Sequence, residues 1–422
     1  MMYRVILLLL LCIAYAAHSA PQHAAEGVSA SITVPMDYQQ PGLGGFPLRY
    51  ELGRPFDATK PTVCIVADGQ QFFLSPGSVA KLQEKWFDDR FNVVGIPGRM
   101  YAPELAQVCS LPDGGTNWLL AYRLYNSRQW CRDIDAVRQH LLGKTGRIML
   151  FGGSGGGYLI LEYLSRFHAH VKRAFIYSTP IPPIDASLGI LKDTFPTDVA
   201  ALGSDYTGLL QQALVNFADQ RPDLVMLLSR QHYFHTADEL PKARRDLLCK
   251  LADGDREAFS SKKEAYQVNA INNLFASSKG PAIRVRMYEF IYPVLQIVTL
   301  DGEMLYPTLE MERNSALPVL QLCEQGKIAA PEWDVQGLRA MHAELFVLTA
   351  AHDKAASLMS HNLLVKGVPK VIHFVAKDDH ILKSLTSAGL FHETVRTFLI
   401  HGMHSNAMTK QMKKLETYRA RH

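Results

Sequence analysis

The sequence predicts an α/β protein with a mostly parallel, doubly wound sheet and an inserted helical cap. Short apolar runs, typical of strands covered on both faces, alternate with segments of helical periodicity. Several of these runs end in Asp, Gly or Pro, as expected of strands that terminate in turns. The long segment 181–316 has helical periodicity without clear strands, so we expect it to cover the sheet between core strands.

The sequence also predicts the individual strands and helices of this fold. Residues 28–52 contain two alternating runs joined by a Pro/Gly turn, which predicts an antiparallel hairpin. A helix is predicted at 130–142, because its apolar residues recur on one face. Residues 410–422 are polar and basic, so we expect a surface helix or a frayed end there. Further strands are predicted at 61–67, 91–96, 148–151, 174–177, 344–350 and 370–376.

The N-terminus has the layout of a secretory signal peptide. Arg4 precedes the apolar run 5–14, which small residues follow. We expect cleavage after Ser19, with Ala16 as the alternative; a membrane anchor is the competing interpretation, but the run is short for a bilayer span. A secreted or periplasmic location follows. The predicted segments are a signal peptide at 1–19, the first part of the core at 20–180, the cap at 181–316 and the second part of the core at 317–422.

Composition excludes some classes of function and leaves others open. The chain has 422 residues, of which 48% are hydrophobic, enough to bury one large core and carry a subdomain. A formal net charge of +4 gives no reason to expect nucleic acid as a partner. No C-x-x-C or H-E-x-x-H pattern occurs, so we predict no metal site and no cofactor.

Cleavage of the leader would leave five cysteines, an odd number that keeps at least one thiol free in a monomer. In an oxidising compartment we expect disulfides. Cys109 with Cys131 is the preferred pair, since both flank one connection in the core, and Cys249 with Cys323 is the second candidate. Cys64 lies in an apolar strand and is interpreted as a buried apolar residue.

A glycine-rich turn surrounds Ser154. The run GGSGG joins a predicted strand to an amphipathic helix and satisfies the G-x-S-x-G pattern of a nucleophile elbow. A serine in a strained turn can present its hydroxyl only if the flanking residues lack side chains that would collide. A purely structural turn is one alternative. A dinucleotide-binding loop is the other, but Tyr158 or Ile160 takes the place of its last glycine in every register.

An acid and a base follow Ser154 in the order that α/β-hydrolases use. Asp353 comes after the predicted strand 344–350, and His380 after the strand 370–376. Because all three candidates follow strands, we predict that they form a Ser-His-Asp triad. Asp378 and Asp379 are the rival acids, and His352, His373 and His392 are the less suitable histidines.

The oxyanion hole should use the N–H of Gly155 together with one from the loop that contains Gly69 and Gln70. Asp68 complicates this expectation, because a carboxylate close to a developing negative charge raises the barrier. Its side chain must point away or be paired, and Arg99 is the candidate partner. The alternative for Arg99 is an exposed loop position.

Five segments resemble the secreted proline-iminopeptidase-like and tripeptidyl-aminopeptidase-like serine hydrolases of the α/β-hydrolase superfamily. They are ITVPMDYQQPG at 32–42, RDIDAVRQHL at 132–141, GGSGGGY at 152–158, VLQLCEQG at 319–326 and FVLTAAHDKAA at 346–356. The resemblance implies an α/β-hydrolase fold and a triad of Ser154, Asp353 and His380. It also implies hydrolysis of the peptide bond next to a free N-terminus.

Two positions depart from that family. Residues 67–71 read ADGQQ where the family typically has H-G-G-P-G, and Gly155 stands where a bulky aromatic residue is common. Acidic side chains bind the substrate's amino group in these aminopeptidases. The resemblance makes Glu324 and Glu289 candidates for that role, and Tyr158 completes the expected substrate-binding set.

We therefore expect an exported serine hydrolase, acting as an aminopeptidase on short peptides through an acyl-enzyme. One alternative is a carboxylic-ester hydrolase with the same triad. The other is a catalytically inactive hydrolase fold that binds a ligand or partner. A small peptide or ester is the expected partner, without nucleic acid and without stable membrane insertion after cleavage of the leader.

Overall fold

A computed structural model describes residues 27–68, 74–191, 193–297 and 305–420. The predicted signal peptide lies outside these ranges, as do Gly69 and Gln70 of the predicted oxyanion loop. No helix within the described ranges is long and apolar enough to cross a membrane.

The described residues form an eight-stranded sheet in the order β1-β2-β4-β3-β5-β6-β7-β8. β1 and β2 are antiparallel, as predicted for the opening hairpin, and β2 is also antiparallel to β4. All later neighbours are parallel. The strands are β1 Val28–Pro35, β2 Gly45–Leu52, β3 Thr62–Ile65, β4 Asn92–Gly95, β5 Ile148–Gly153, β6 Val171–Tyr177, β7 Glu344–Ala350 and β8 Val371–Ala376. The predicted α/β fold class is confirmed.

Helices connect the strands and flank the sheet. Before the insertion these are α1 Val79–Trp86, α2 Pro103–Cys109, α3 Trp118–Tyr125, α4 Ser127–Leu142 and α5 Ser154–Phe167. Between β6 and β7 lie α6 Pro182–Ser187, α7 Phe195–Ala200, α8 Ser204–Asn216, α9 Arg221–Arg230, α10 Leu240–Ala252, α11 Arg256–Ala265, α12 Val268–Ala276, α13 Gly280–Leu295, α14 Pro307–Glu324 and α15 Val335–Arg339. The last are α16 Leu358–Lys366, α17 Lys383–Ser387, α18 Leu390–His401 and α19 Asn406–Leu415.

Alternation along the central strands divides the core between the two faces of the sheet. In β3, Val63 and Ile65 pack with the cluster that includes helices α1, α18 and α19, whereas Cys64 packs with the cluster on the other face. In β5, the side chains of Met149 and Leu150 likewise pack on opposite faces of the sheet, Met149 with the first cluster and Leu150 with the second. Burial on both faces explains why these strands appear as continuous apolar runs in the sequence.

The insertion between β6 and β7 has a hydrophobic cluster of its own. Buried side chains from α7 to α12 form it, with Phe217, Leu227 and Leu248 among the most buried. Helix α14 runs through residue 316, so the predicted end of the cap falls inside a helix. The segment boundaries given above stay predictions.

The expected disulfides are absent, because all five cysteines within the described ranges are free thiols. Cys109 and Cys131 are both buried in the main cluster, one at the end of α2 and the other on the inner face of α4. Burial raises the pKa of the Cys109 thiol to about 12. Cys249 is exposed and Cys323 is half-buried. Proximity to one connection therefore gave the wrong pairing, since two core positions near one loop need not face each other.

Candidate active site

Ser154 occupies the turn between β5 and α5, directly after the strand's last residue. Its φ of 50° lies in the left-handed region, which a residue with a side chain adopts only when its surroundings enforce it. A Cβ at Gly152 would stand 2.9 Å from the Val66 carbonyl oxygen, so a side chain there would push the neighbouring strands apart. The turn therefore requires its glycine and holds Ser154 at the carboxyl end of the parallel strands.

Asp353 and His380 form a hydrogen-bonded pair in the loops after β7 and β8. His380 Nδ1 lies 2.9 Å from Asp353 Oδ1 and 3.0 Å from Oδ2. The carboxylate also accepts the backbone N–H groups of Ala355 at 2.8 Å and Ala356 at 3.0 Å. With Nδ1–H donating to the carboxylate, Nε2 is the ring nitrogen that can accept a proton.

Electrostatics within this pair favour the charged acid and a more basic imidazole. Burial opposes the charge of Asp353, but the attraction and hydrogen bond of His380 hold the pKa of that carboxyl below its usual value. Burial also opposes protonation of His380, but the Asp353 charge raises the pKa of the imidazole above its usual value. The arrangement can stabilise an imidazolium formed during proton transfer.

The rival residues have other partners. Asp378 accepts backbone N–H groups at the start of α17, including that of Leu385 at 3.0 Å, and Asp379 accepts that of Ile381 at 3.1 Å. His373 Nε2 lies 3.0 Å from the Thr349 hydroxyl. Of the other two histidines, His392 stacks on Trp86 with ring centroids 6.3 Å apart, and His352, next to Asp353 in the chain, lines the same cavity as the pair.

Two adjoining cavities surround these residues. The inner cavity, of about 70 Å³, is lined by Ser154 and Gly155, and the outer cavity, of about 570 Å³, by Asp353 and His380. The ring of Tyr233 links them, because it lines the inner cavity and packs edge-on against the His380 ring at 5.4 Å. Tyr233 thus lines one cavity with Ser154 and contacts the His380 ring.

The oxyanion side differs from the expectation. The Asp68 carboxylate is buried against Gly155, where an added Cβ would stand 2.2 Å from its Oδ2 atom. An aromatic residue directly after Ser154 would need the space that this carboxylate fills. The two departures from the family pattern are therefore one feature, since Asp68 requires glycine at position 155. The second predicted donor, Gly69 or Gln70, lies outside the described residues.

Arg286, from α13, is the cation that Asp68 faces. Its Nε lies 3.7 Å from Asp68 Oδ2, and its Nη1 lies 3.2 Å from Glu162 Oε2 and 2.5 Å from Glu289 Oε2. The guanidinium is fully buried, which works against its charge, but the three carboxylates raise its pKa. Burial raises the pKa of Glu162 to about 7. We call Asp68, Glu162, Glu289 and Arg286 the buried charge cluster.

The expected pairing of Asp68 with Arg99 is wrong. Arg99 is fully buried and binds Asp133 through Nε at 2.7 Å and Nη2 at 3.1 Å. Its Nη1 donates to the carbonyl oxygens of Met36 at 2.6 Å and Leu124 at 2.8 Å. Arg99 therefore ties the opening hairpin to α3 and α4, and it is neither a surface loop residue nor a partner of Asp68.

The residues expected to bind substrate do not line the inner cavity. Glu289 accepts the N–H and hydroxyl of Ser127 at 2.9 and 3.0 Å in addition to its contact with Arg286. Tyr158 is buried edge-on against Phe290 at 5.1 Å. Glu324 is exposed at the last turn of α14. The substrate-binding roles of these side chains stay predictions.

Three carboxylates that the sequence reasoning missed line the inner cavity: Asp193, Asp198 and Glu312. Asp193 accepts the backbone N–H groups of Thr308 at 2.6 Å and Phe195 at 3.2 Å. These N–H groups belong to the first turns of α14 and α7. Glu312, on α14, is half-buried and lines the same cavity as Ser154. No sequence signal distinguishes Glu312 from other acids in the insertion, because its position depends on how α14 packs.

The sheet order and the strained serine turn define an α/β-hydrolase fold. Solved structures similar to the chain include a proline iminopeptidase from Mycobacterium smegmatis, with 14% identity, 88% and 97% coverage of the two chains and a TM-score of 0.47. A bromoperoxidase from Bacillus anthracis is 14% identical, with 88% of this chain and 99% of that chain covered and a TM-score of 0.44. A carboxylesterase structure from the Thaumarchaeon Nitrososphaera gargenis is 13% identical, with 89% of this chain and 100% of that chain covered and a TM-score of 0.43. No protein-family model and no curated protein sequence matches the chain.

Proposed function

We propose that the chain is an exported serine hydrolase that acts as an aminopeptidase on short peptides. The observation that carries this proposal is the buried Asp353–His380 pair in the loops after β7 and β8, beside a cavity that contains Ser154. The three residue types are those of an acyl-transfer triad, and all lie at the carboxyl ends of parallel strands.

In the proposed reaction, His380 Nε2 takes the proton of Ser154 as its oxygen attacks the substrate carbonyl. Asp353 holds the imidazole in the required tautomer and stabilises the imidazolium. The N–H of Gly155 stabilises the oxyanion, with a second donor from the loop of Gly69 and Gln70. His380 then protonates the leaving amine as the C–N bond breaks. A water molecule, activated by the same imidazole, hydrolyses the acyl-enzyme.

Glu312 is the proposed ligand of the substrate's free amino group, in place of Glu324 and Glu289. It is on the wall of the inner cavity with Ser154, and a carboxylate is the natural partner of an ammonium group. Asp193 also lines this cavity, where its oxygens accept the backbone N–H groups of Phe195 and Thr308. An uncharged ester would gain nothing from Glu312, which is why we favour the aminopeptidase over the esterase.

One observation supports the alternative of an inactive, ligand-binding fold. Asp68 is close to Gly155, and a negative charge there opposes an oxyanion on the N–H of Gly155. The fixed positive charge of Arg286 lies within 3.7 Å of Asp68 and offsets this repulsion. We therefore favour the catalytic proposal, and the labelling test includes an outcome that would indicate an inactive fold.

The test combines a fluorophosphonate probe with chromogenic substrates. We expect the mature protein to be labelled and to hydrolyse an unblocked alanyl anilide, with both activities lost in Ser154→Ala and retained in Ser110→Ala, an exposed control. N-terminal blocking of the substrate should abolish turnover, and Glu312→Gln should raise KM. Hydrolysis of esters alone would favour the esterase. Absence of labelling in the wild type would favour the inactive fold.

Export is tested separately, by expression with the native leader. N-terminal sequencing of the mature protein from the extracytoplasmic fraction should show a start after Ser19. A protein that retains Arg4 would contradict the proposed signal peptide.

A further inference from the structure

The inner and outer cavities share a set of five lining residues that we call the junction. They are Thr194, Asp198, His232, Arg244 and Lys354. Lys354 belongs to the loop that carries Asp353, whereas the others come from the helical insertion. Any group that extends from Ser154 toward the outer cavity must pass these side chains.

The junction holds two cations on a single carboxylate. Arg244 Nη1 donates to Asp198 Oδ2 at 2.9 Å, and Lys354 Nζ donates to Asp198 Oδ1 at 3.2 Å. Arg244 is buried, while the Lys354 side chain is 37% exposed and can move. Among the five junction residues the two cations outnumber the one carboxylate, although Asp193 and Glu312 line the inner cavity nearby. Lys354 can contact a second anion without leaving Asp198 uncompensated, because Arg244 still pairs with it.

His232 adds an uncharged imidazole at the same place. Its Nε2 atom is buried and has no hydrogen-bond partner within the described residues. Burial, with a smaller contribution from the nearby His380, lowers the pKa of this imidazole to about 3, so the ring is neutral at physiological pH. A buried ring nitrogen without a partner costs free energy unless a ligand satisfies it.

Size determines which part of a peptide reaches the junction. A cavity of about 70 Å³ beside Ser154 is small, so it suits one small residue on the acyl side of the scissile bond. The residue on the leaving side must then extend toward the outer cavity, past the junction. In a dipeptide that residue carries the C-terminal carboxylate. Two cations are suited to bind it, and the His232 ring adds a donor in the tautomer that has its proton on Nε2.

We propose that the junction binds the substrate's C-terminal carboxylate, so that the preferred substrates are dipeptides with a small N-terminal residue. Lys354, Arg244 and His232 are the specificity-determining residues. The inference rests on the proposed aminopeptidase activity and names its substrate class. Hydrolysis breaks the peptide C–N bond, and water supplies a hydroxyl group to the acyl carbon and a proton to the leaving amine, which gives two free amino acids.

The test compares Ala-Ala with its C-terminal amide, which differs only in the charge of the carboxyl group. We expect wild-type kcat/KM to favour the dipeptide by about tenfold or more, the size expected of one charge-assisted hydrogen bond. Lys354→Met should reduce this ratio toward one, chiefly through KM for the dipeptide. Lys354→Glu should bring the ratio below one. Lys250→Met removes an exposed positive charge from α10 outside both cavities and should keep the wild-type ratio.

Labelling by a small neutral fluorophosphonate shows whether each Lys354 variant keeps an intact triad. Ser154-dependent turnover of both substrates at equal kcat/KM would overturn the carboxylate inference and leave the aminopeptidase proposal standing. A ratio that stays at the wild-type value in both Lys354 variants would also overturn it. Absence of Ser154-dependent turnover on either substrate would refute the proposed function, and the inference would fail with it.

Discussion

The two sides of the candidate site are built in different ways. On the acid–base side, one carboxylate and one imidazole lie in the loops after adjacent strands, and backbone N–H groups complete the bonding of Asp353. On the oxyanion side, three buried carboxylates share the guanidinium of Arg286, which comes from the helical insertion. The sheet topology alone brings the first pair together, whereas the second group depends on how the insertion packs against the sheet.

This difference has an energetic consequence. The acid–base pair can lose Asp353 without leaving an unpaired buried charge, because His380 can then remain neutral. Loss of Arg286 would leave three carboxylates in a region that water does not reach. We therefore expect substitutions on the acid–base side to reduce catalysis, and substitutions in the buried charge cluster to reduce stability as well.

The largest expected effect is on the acid–base side. Asp353→Asn should lower kcat by about 10³- to 10⁴-fold on any substrate that the wild type hydrolyses, because the imidazole loses its orienting carboxylate. The melting temperature should change little by comparison. The matched control is Asp379→Asn, which alters the neighbouring carboxylate. A decrease of less than tenfold in Asp353→Asn would assign the acid's role to another residue.

The next effect tests the buried charge cluster. Arg286→Met should destabilise the fold by about 3–5 kcal/mol, the usual cost of removing one partner from a buried ion pair. Urea denaturation measures this change. Arg284→Met is the control on the same helix, since Arg284 is half-buried, donates to the Ser315 carbonyl oxygen at 2.9 Å and has no ion pair among the described residues. Equal losses in the two variants would show that the cluster contributes no more than an ordinary arginine.

A smaller effect links Asp68 to Gly155. Gly155→Ala should lower stability and fluorophosphonate labelling, because the new Cβ would meet the Asp68 carboxylate at 2.2 Å. In an Asp68→Gly background the same change should cost less, with a coupling energy of about 0.5–3 kcal/mol. The double-mutant cycle, measured by denaturation, gives this coupling. Additive effects would mean that the two departures from the family pattern are independent.

The contrast between the two sides also explains what the sequence could predict. Strand β7 lies at the predicted 344–350, and the other predicted strands differ at their ends by a few residues, because parallel strands carry a strong apolar signal. The turn at Ser154 carries its own glycine signature. The loop positions of Asp353 and His380 followed from the ends of strands, although their catalytic roles stay predictions.

Contacts between distant segments could not be predicted in this way. The partner of Arg99 is Asp133, on α4. The partner of Asp68 is Arg286, more than two hundred residues along the chain. Neither pair has a local pattern. Glu312 was missed for the same reason, because a carboxylate on an inserted helix can be assigned to a cavity only once the helix is positioned.

The smallest expected effect concerns pH and decides which side of the site controls it. His380 must be neutral to accept the Ser154 proton. Because the Asp353 charge raises the pKa of His380 above its usual value near 6.5, activity should be full at high pH and fall as the pH decreases through a midpoint above about 6.5.

The pKa of Glu162, about 7, places a second titration in the same range, on the oxyanion side. Glu162→Gln separates the two: the acid limb of kcat/KM should persist with its midpoint nearly unchanged. If the limb disappears in that variant, protonation of the buried charge cluster controls activity, and the acid–base pair is not the group that the pH profile reports.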